Sequence, residues 1–257
     1  VVTSIAIYRL TDPEITSGVQ INYRFHPGFL VGDGRDDTYI CYFALPYSAN
    51  GLDSSFVVAT DPAGNRTQMP FSVVFKKKNF RQDRINVSDG FLDKKIPEFM
   101  QYYPEMAGSM VDKYLFTNNE IRIKNNNKIS ELCGSPHHKR LWKGKFYRMP
   151  GSSRAGFADH RVYEYKGKVI DRQVHLGIDL ASVQHATVPA ANGGVVKFSG
   201  DLGIYGKTVL IDHGFGLFSM YAHLNASDVT KGQQVAKGDI IGRTGSTGLA
   251  GGDHLHF

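Results

Sequence analysis

The sequence predicts a mainly β chain in three parts: a β-sandwich over residues 1–77, a small helical linker module over 78–135, and an antiparallel β-sheet domain with a groove over 136–257. Three observations predict it. Short runs alternating apolar and polar residues, broken by turn residues, fill the first 77 positions. Apolar residues at helical spacing are confined to the stretch between Lys76 and Cys133. Strands punctuated by glycine then recur to Phe257, almost without helices. A length of 257 residues suits two domains joined by a small module.

In the first part, Val1 to Tyr8 reads as the middle of a strand. Val19–Tyr23, Thr38–Phe43, Ser55–Ala59 and Phe71–Phe75 read as further strands, with Asp33-Gly34 and Asn50-Gly51 supplying turn chemistry. The segment Thr60 to Arg66, with Asp61-Pro62-Ala63-Gly64 at its centre, resembles the turn common in bacterial immunoglobulin-like domains. Short strands at regular spacing then imply an immunoglobulin-like β-sandwich. Its role is open between a plain spacer, substrate positioning, partner binding and autoinhibition. The N-terminus has neither a basic segment nor a long apolar one, so it does not read as a signal peptide. No uninterrupted apolar run approaches the ~20 residues of a membrane span, and the chain reads as a mature or trimmed ectodomain.

In the second part, Lys76-Lys77-Lys78 reads as a solvated linker. Ser88 and Asp89 can cap a helix carrying Phe91, Ile96, Phe99 and Met100, with Pro97 limiting how it starts. Met106 to Phe116 and Glu120 to Leu132 offer two more helical periods, and Asn125-Asn126-Asn127 weakens the last.

The third part carries the chemistry. It begins after Gly134-Ser135-Pro136, and His137 and His138 read as linker surface. Tyr163 to Ile170 reads as a hairpin with Lys166-Gly167 at its tip. Three segments stand out: His175-Leu176-Gly177-Ile178-Asp179, Met220-Tyr221-Ala222-His223-Leu224 and His254-Leu255-His256-Phe257. Residues two apart on a strand share a face, so His254 and His256 point into one cleft while Leu255 and Phe257 point toward a core. Gly177 permits a bend that lets His175 and Asp179 converge. A catalytic zinc usually takes three ligands from His, Asp and Glu and keeps one position open. These residues therefore predict a zinc hydrolase in a β-rich cleft.

These motifs, in this order and with glycine-rich turns between them, resemble the lysostaphin/LytM-type zinc peptidases. The resemblance covers roughly Leu141 to Phe257, and Gly206 to Gly214, Val235 to Gly242 and Gly245-Ser246-Thr247-Gly248 add to it. It implies that His175, Asp179 and His256 bind one zinc ion per chain, and that His223 and His254 are the catalytic histidines. It implies a zinc-dependent endopeptidase that hydrolyses peptide cross-links of bacterial peptidoglycan in the cell envelope, periplasmic or extracellular. Links between D-alanine and diaminopimelate and glycine bridges both remain open as the bond that is cut. No HExxH occurs, so histidine must serve in place of a glutamate base. Many relatives have proline where this chain has Asp253, a carboxylate that either orients His254 or caps a turn. The family pattern also continues past HLHF, so the C-terminal end reads as truncated. A relative plugs its zinc with an upstream asparagine, which makes Asn125 to Asn127 candidates for a pro-segment. His185 and His213 read as structural, with His185 able to line the cleft, and Tyr205 as a candidate substrate contact. The glycine-rich stretch Gly242 to Gly252 reads as one wall of a groove suited to an extended peptide.

Charge divides with the architecture. Residues 1–135 hold fifteen basic and fifteen acidic residues, so the whole net charge of +6 lies in residues 136–257. A basic face attracts anionic polymers such as cell-wall components. No nucleic-acid motif or basic–aromatic stripe is present, and any membrane anchoring lies outside this chain. Oligomeric state is not encoded in any motif. Cys41 and Cys133 fall in different modules and read as two buried thiols. The rival reading is a non-cleaving or autoinhibited regulator of cell-wall hydrolases with the same fold. Such degenerate relatives lose ligands or catalytic histidines, and this chain keeps all five.

Overall fold

Alternating burial in the strand Thr38–Ala44, with Tyr39, Cys41 and Phe43 inward, organises the first of two units in the computed structural model. The structure describes residues 3–11, 15–31 and 37–257. Val1, Val2 and the Asp33-Gly34 turn lie outside the described residues. Unit 1 comprises residues 1–79, 136–141 and 213–217; unit 2 comprises 80–135, 142–212 and 218–257. Among the described residues no helix is long and apolar enough to cross a membrane.

Unit 1 holds two antiparallel sheets. In one, Thr38–Ala44 lies between Thr3–Arg9 and Phe29–Leu30; the other runs Arg24–Pro27, Thr16–Ile21, Ser55–Thr60, Arg66–Pro70. Val19 and Ile21 from one sheet meet Cys41 and Phe43 from the other in a shared core. Two strand boundaries differ from the sequence reading. The strand expected to reach Tyr23 ends at Ile21, because Asn22 adopts a left-handed conformation (φ 52°) and turns the chain into Arg24–Pro27. The strand expected over Phe71–Phe75 instead occupies Arg66–Pro70. Its ladder ends where Phe71 N–H donates to Ser55 O, since Ser55 is the first residue of the partner strand. Phe71, Val73 and Phe75 still pack on the core, so the alternation marked burial without pairing. Both cysteines are free, Cys41 buried and Cys133 half-buried.

Unit 2 is built on a seven-stranded sheet. Its order is Gln234–Val235, Gly194–Asp201, Lys207–Gly214, Leu217–Leu224, Leu255–His256, Asp179–Ala181, Ser152–Ala155. The hairpin His160–Tyr165/Lys168–Val174 forms through Lys166 and Gly167, both at positive φ as a tight two-residue turn requires. The strand Gln82–Asn86 pairs parallel to that hairpin. Leu180, Val196, Ile211, Tyr221, Leu224, Ile241 and Leu255 make one core of the unit.

Helix α1 (Asp89–Met100) starts where Ser88 Oγ accepts from Phe91 N–H, a cap worth about 1 kcal/mol. Leu92, Ile96 and Phe99 recur on its buried face. Helix α2 (Met110–Phe116) begins four residues later than its apolar pattern, because Ser109 and Asp112 form a reciprocal capping box. A π turn over Thr117–Ile121 joins it to helix α3 (Arg122–Cys133). α3 runs through the three asparagines because two of their side chains find partners: Asn125 Oδ1 accepts from Ile204 N–H at 2.9 Å and Asn126 Oδ1 from the Tyr205 hydroxyl at 2.8 Å. These helices share a second core with Tyr163, Leu202, Ile204, Tyr205 and Ala222 of the sheet domain.

Candidate metal centre and active-site cleft

Strand Asp179–Ala181 pairs antiparallel with Leu255–His256, with Asp179 opposite His256, and that register creates the site. Leu180 and Leu255 point into the core with no exposure, so the intervening polar side chains face the other way. His175 lies on the loop entering the first strand, and Gly177 lets it fold back. A Cβ at Gly177 would stand 2.6 Å from the His256 ring, so only glycine admits that approach.

His175 Nε2, Asp179 Oδ1 and His256 Nδ1 form a triangle. His175 Nε2 is 2.9 Å from both of the others, and His256 Nδ1 is 3.0 Å from Asp179 Oδ1. All three residues are buried. His175 Nδ1 sits 2.8 Å from Gly156 O, which assigns its proton there and leaves Nε2 as a bare lone pair. A tetrahedral ion with bonds of ~2.1 Å has ligand atoms roughly 3.4 Å apart, close to what the triangle shows. Two imidazoles and a carboxylate also match the donor preference of zinc. The residues therefore fit the metal: this cluster could hold one.

Asp179 has its second oxygen, Oδ2, 2.8 Å from an Arg161 terminal nitrogen. Burial pushes the Asp179 carboxyl up, but the close approach of the His175 and His256 rings holds it well below the usual carboxylate range. It is ionised whenever the protein is folded at ordinary pH.

His223 and His254 flank this triangle. Their ring centroids are 4.8 Å apart, and His223 is 5.8 Å from the His256 ring. His223 Nδ1 lies 2.8 Å from Thr247 O, and His254 Nδ1 lies 2.9 Å from Gly252 O. Both rings thus carry Nδ1–H toward backbone carbonyls and leave Nε2 bare. His254 Nε2 is 3.6 Å from Asp179 Oδ1. Burial, reinforced by His254 and His256, pushes the His223 pKa well below its ordinary value, so the ring is neutral. His223 also sits at φ 62°, a left-handed conformation rare for a side chain of this size and typical of strained functional positions.

All five residues line one cleft of about 470 Å³. Tyr205 lines it too, with its ring 5.6 Å from His256, and Leu249 to Gly251 contribute from the glycine-rich stretch. Ile85 to Ser88, Phe91, Tyr114 and Arg122 also line it. His185 stays outside the cleft lining: its N–H donates to Asp253 Oδ2, while Asp253 Oδ1 accepts from Thr244. Asp253 therefore holds a turn and does not contact His254 by hydrogen bond. His213 is fully buried away from the cleft. Of the asparagines suspected of plugging the metal, Asn125 and Asn126 anchor α3 to Ile204 and Tyr205. Sequence reading missed Arg161, Gly156 and Thr247, because two of the three act through backbone carbonyls that no motif displays.

Residues 173–257 match the family model described as Peptidase family M23. The DD-carboxypeptidase/endopeptidase Mpg of Neisseria meningitidis is 44% identical over 85 residues, 33% of this chain and 20% of that protein. The peptidoglycan DD-endopeptidase ShyA of Vibrio cholerae is 30% identical over 165 residues, 59% of this chain and 38% of that protein. The chain thus spans well under half the length of these curated relatives. A solved structure from Pseudomonas aeruginosa described as a peptidase M23 covers 98% of this chain and 86% of its own, with TM-score 0.59 and 22% identity, a likeness of fold.

Proposed function

With residues 173–257 forming a Peptidase family M23 domain, we propose that the chain is a zinc-dependent endopeptidase that hydrolyses peptide cross-links of bacterial peptidoglycan in the cell envelope. The observation that carries this reading is the triangle of His175 Nε2, Asp179 Oδ1 and His256 Nδ1, open to a cleft that also receives His223 and His254. The curated relatives named above act as peptidoglycan DD-endopeptidases or DD-carboxypeptidases by their descriptions, which favours a peptide cross-link as substrate. A non-cleaving regulator gains no support, since all five side chains are present and converge.

In this reading His175, Asp179 and His256 hold one zinc ion. Zinc there would polarise the scissile carbonyl and lower the pKa of the attacking water toward ~7. The remaining steps belong to the protein. Neutral His223 accepts the water's proton at Nε2, with Thr247 O fixing the tautomer. His254 turns its own Nε2 to the cleft beside Asp179, where, once that nitrogen has taken up a proton, it donates to the developing oxyanion. Arg161 holds Asp179 from behind and orients it. Residues 1–77 are read as an immunoglobulin-like β-sandwich, supported by two sheets that share a core, and 78–135 as a helical module preceding the peptidase domain of 136–257.

The test is digestion of purified peptidoglycan with products read by mass spectrometry, beside a His223→Ala control. New peptide termini that vanish in the control support the reading. Intact peptidoglycan with zinc-loaded protein overturns it.

A further inference from the structure

Arg122, the first residue of α3, lines the same cleft as the metal triangle, and its guanidinium is held in place from within its own chain segment. Nε donates to Asn118 O at 3.0 Å, and one terminal nitrogen donates to Asn118 Oδ1 at 2.5 Å. Asn118 has no exposure, and its amide donates to Asp171 Oδ2 at 2.6 Å. Asp171 Oδ2 is also approached by Asn119 and Gln173, each at 3.1 Å. The π turn Thr117–Ile121 makes this possible, because its extra residue carries consecutive Asn118 and Asn119 to the same carboxylate.

Such a scaffold has a chemical consequence. A guanidinium offers five N–H donors, and two are committed here, which fixes its plane and leaves the rest. Asp171 is reached through Asn118, so the positive charge of Arg122 is braced without being paired. Among the described residues no carboxylate lies within ion-pair distance of Arg122. The cleft lining contains one carboxylate, Asp179, and both of its oxygens are already engaged by His175, His256 and Arg161. α3 is docked beside the metal triangle one turn further on, where Asn126 binds the hydroxyl of Tyr205, the ring next to His256. The cleft therefore presents an oriented, uncompensated guanidinium near the reacting centre. Planar bidentate pairing with a carboxylate is what this group does best.

We propose that Arg122 is a substrate-carboxylate site, so that the preferred substrate is a peptide bearing a free carboxylate beside the scissile bond. A D-alanyl–diaminopimelate link has such a carboxylate on the residue whose amine forms the cleaved amide; a glycine bridge has none. The site rests on the peptidase reading above, and it makes the helical segment a contributor to specificity.

The experiment compares two synthetic cross-linked stem peptides, one with that carboxylate free and one with it amidated. Wild type, Arg122→Gln and Arg122→Lys are assayed for kcat/KM, with thermal melting to verify folding and calorimetry to measure binding. Wild type is expected to prefer the free acid by about tenfold or more. The ratio falls to near one in Arg122→Gln and is intermediate in Arg122→Lys, which keeps the charge without the planar fork. A wild-type ratio near one overturns the site, as does a preference that survives in both variants. If neither peptide is cut, the peptidase reading fails, and calorimetry then judges the site alone: tighter binding of the acid retains it, and equal or absent binding removes it.

Discussion

Lys95 and His223 are joined through two consecutive carbonyls. The side chain of Lys95 is almost fully buried on α1, and its Nζ donates to Ser246 O at 2.6 Å; the next carbonyl, Thr247 O, fixes His223 Nδ1 at 2.8 Å. The same loop also pairs at Gly245 with His254. A lysine this buried is rare unless its charge is used, and here it clamps the loop that orients both histidines. Lys95→Met is therefore expected to lower kcat on the order of 10- to 100-fold with little change in KM or bound zinc. Loss of the charged bond also lowers stability by about 1.5–3 kcal/mol. Steady-state kinetics, metal analysis and denaturant unfolding separate these effects, and an unchanged kcat would show that the loop holds its shape alone.

Gly177→Ala isolates the approach of His256. The added Cβ would meet His256 Cε1 and Nε2 at 2.6 Å and Phe257 O at 2.9 Å, so the ring must move. Gly177 is not among the glycines at positive φ, so alanine brings no backbone penalty there. Zinc affinity should fall about 10- to 100-fold, and because the backbone carbonyl of Phe257 must shift as well, the metal-free protein should also melt somewhat lower. Competition with a chromogenic chelator measures it.

The left-handed backbone of His223 predicts an unusual pair of variants. His223→Ala and His223→Gly both remove the imidazole, yet at φ 62° only glycine is relaxed. His223→Gly should be the more stable by about 1 kcal/mol, with both inactive. Equal stability by urea unfolding would mean that the strain is relieved elsewhere.

Burial pushes the Cys41 thiol up to about 11, with the Val19 backbone bond only partly opposing. A thiol whose folded pKa is raised contributes stability that is intact below its unfolded pKa and lost as pH climbs through the folded one. Between the unfolded value and about 11, Cys41 should cost up to ~1.4 kcal/mol of stability per pH unit, a slope absent in Cys41→Ala. Below pH 8 Cys41 should resist thiol reagents until the protein is unfolded.

What the sequence displays is what depends on side-chain order. HLGID and HLHF announced that His175, Asp179 and His256 converge, because a strand's period of two and a glycine bend are local geometry, while their separation from His223 and His254 as a ligand set came only with the family resemblance. The Lys166-Gly167 hairpin and the Ser88 cap were legible for the same reason. The start of α2 was not, since apolar spacing from Met106 continued past the true cap at Ser109. Phe71 to Phe75 alternated like a strand but had no partner left to pair with. The tautomers of His175, His223 and His254 depend on carbonyls of Gly156, Thr247 and Gly252, which carry no side-chain signature. Arg161 and Lys95 lie 18 and 128 residues from Asp179 and His223, which they serve only in the fold, and each is an ordinary cation when read in sequence.

The metal centre is tested most directly by growing crystals with zinc and collecting anomalous diffraction on both sides of the zinc absorption edge. The account predicts one strong peak per chain, bonded to His175 Nε2, Asp179 Oδ1 and His256 Nδ1, with His223 and His254 close by but unbonded. A peak held by other residues, or no peak in protein that diffracts well with zinc present, would contradict it.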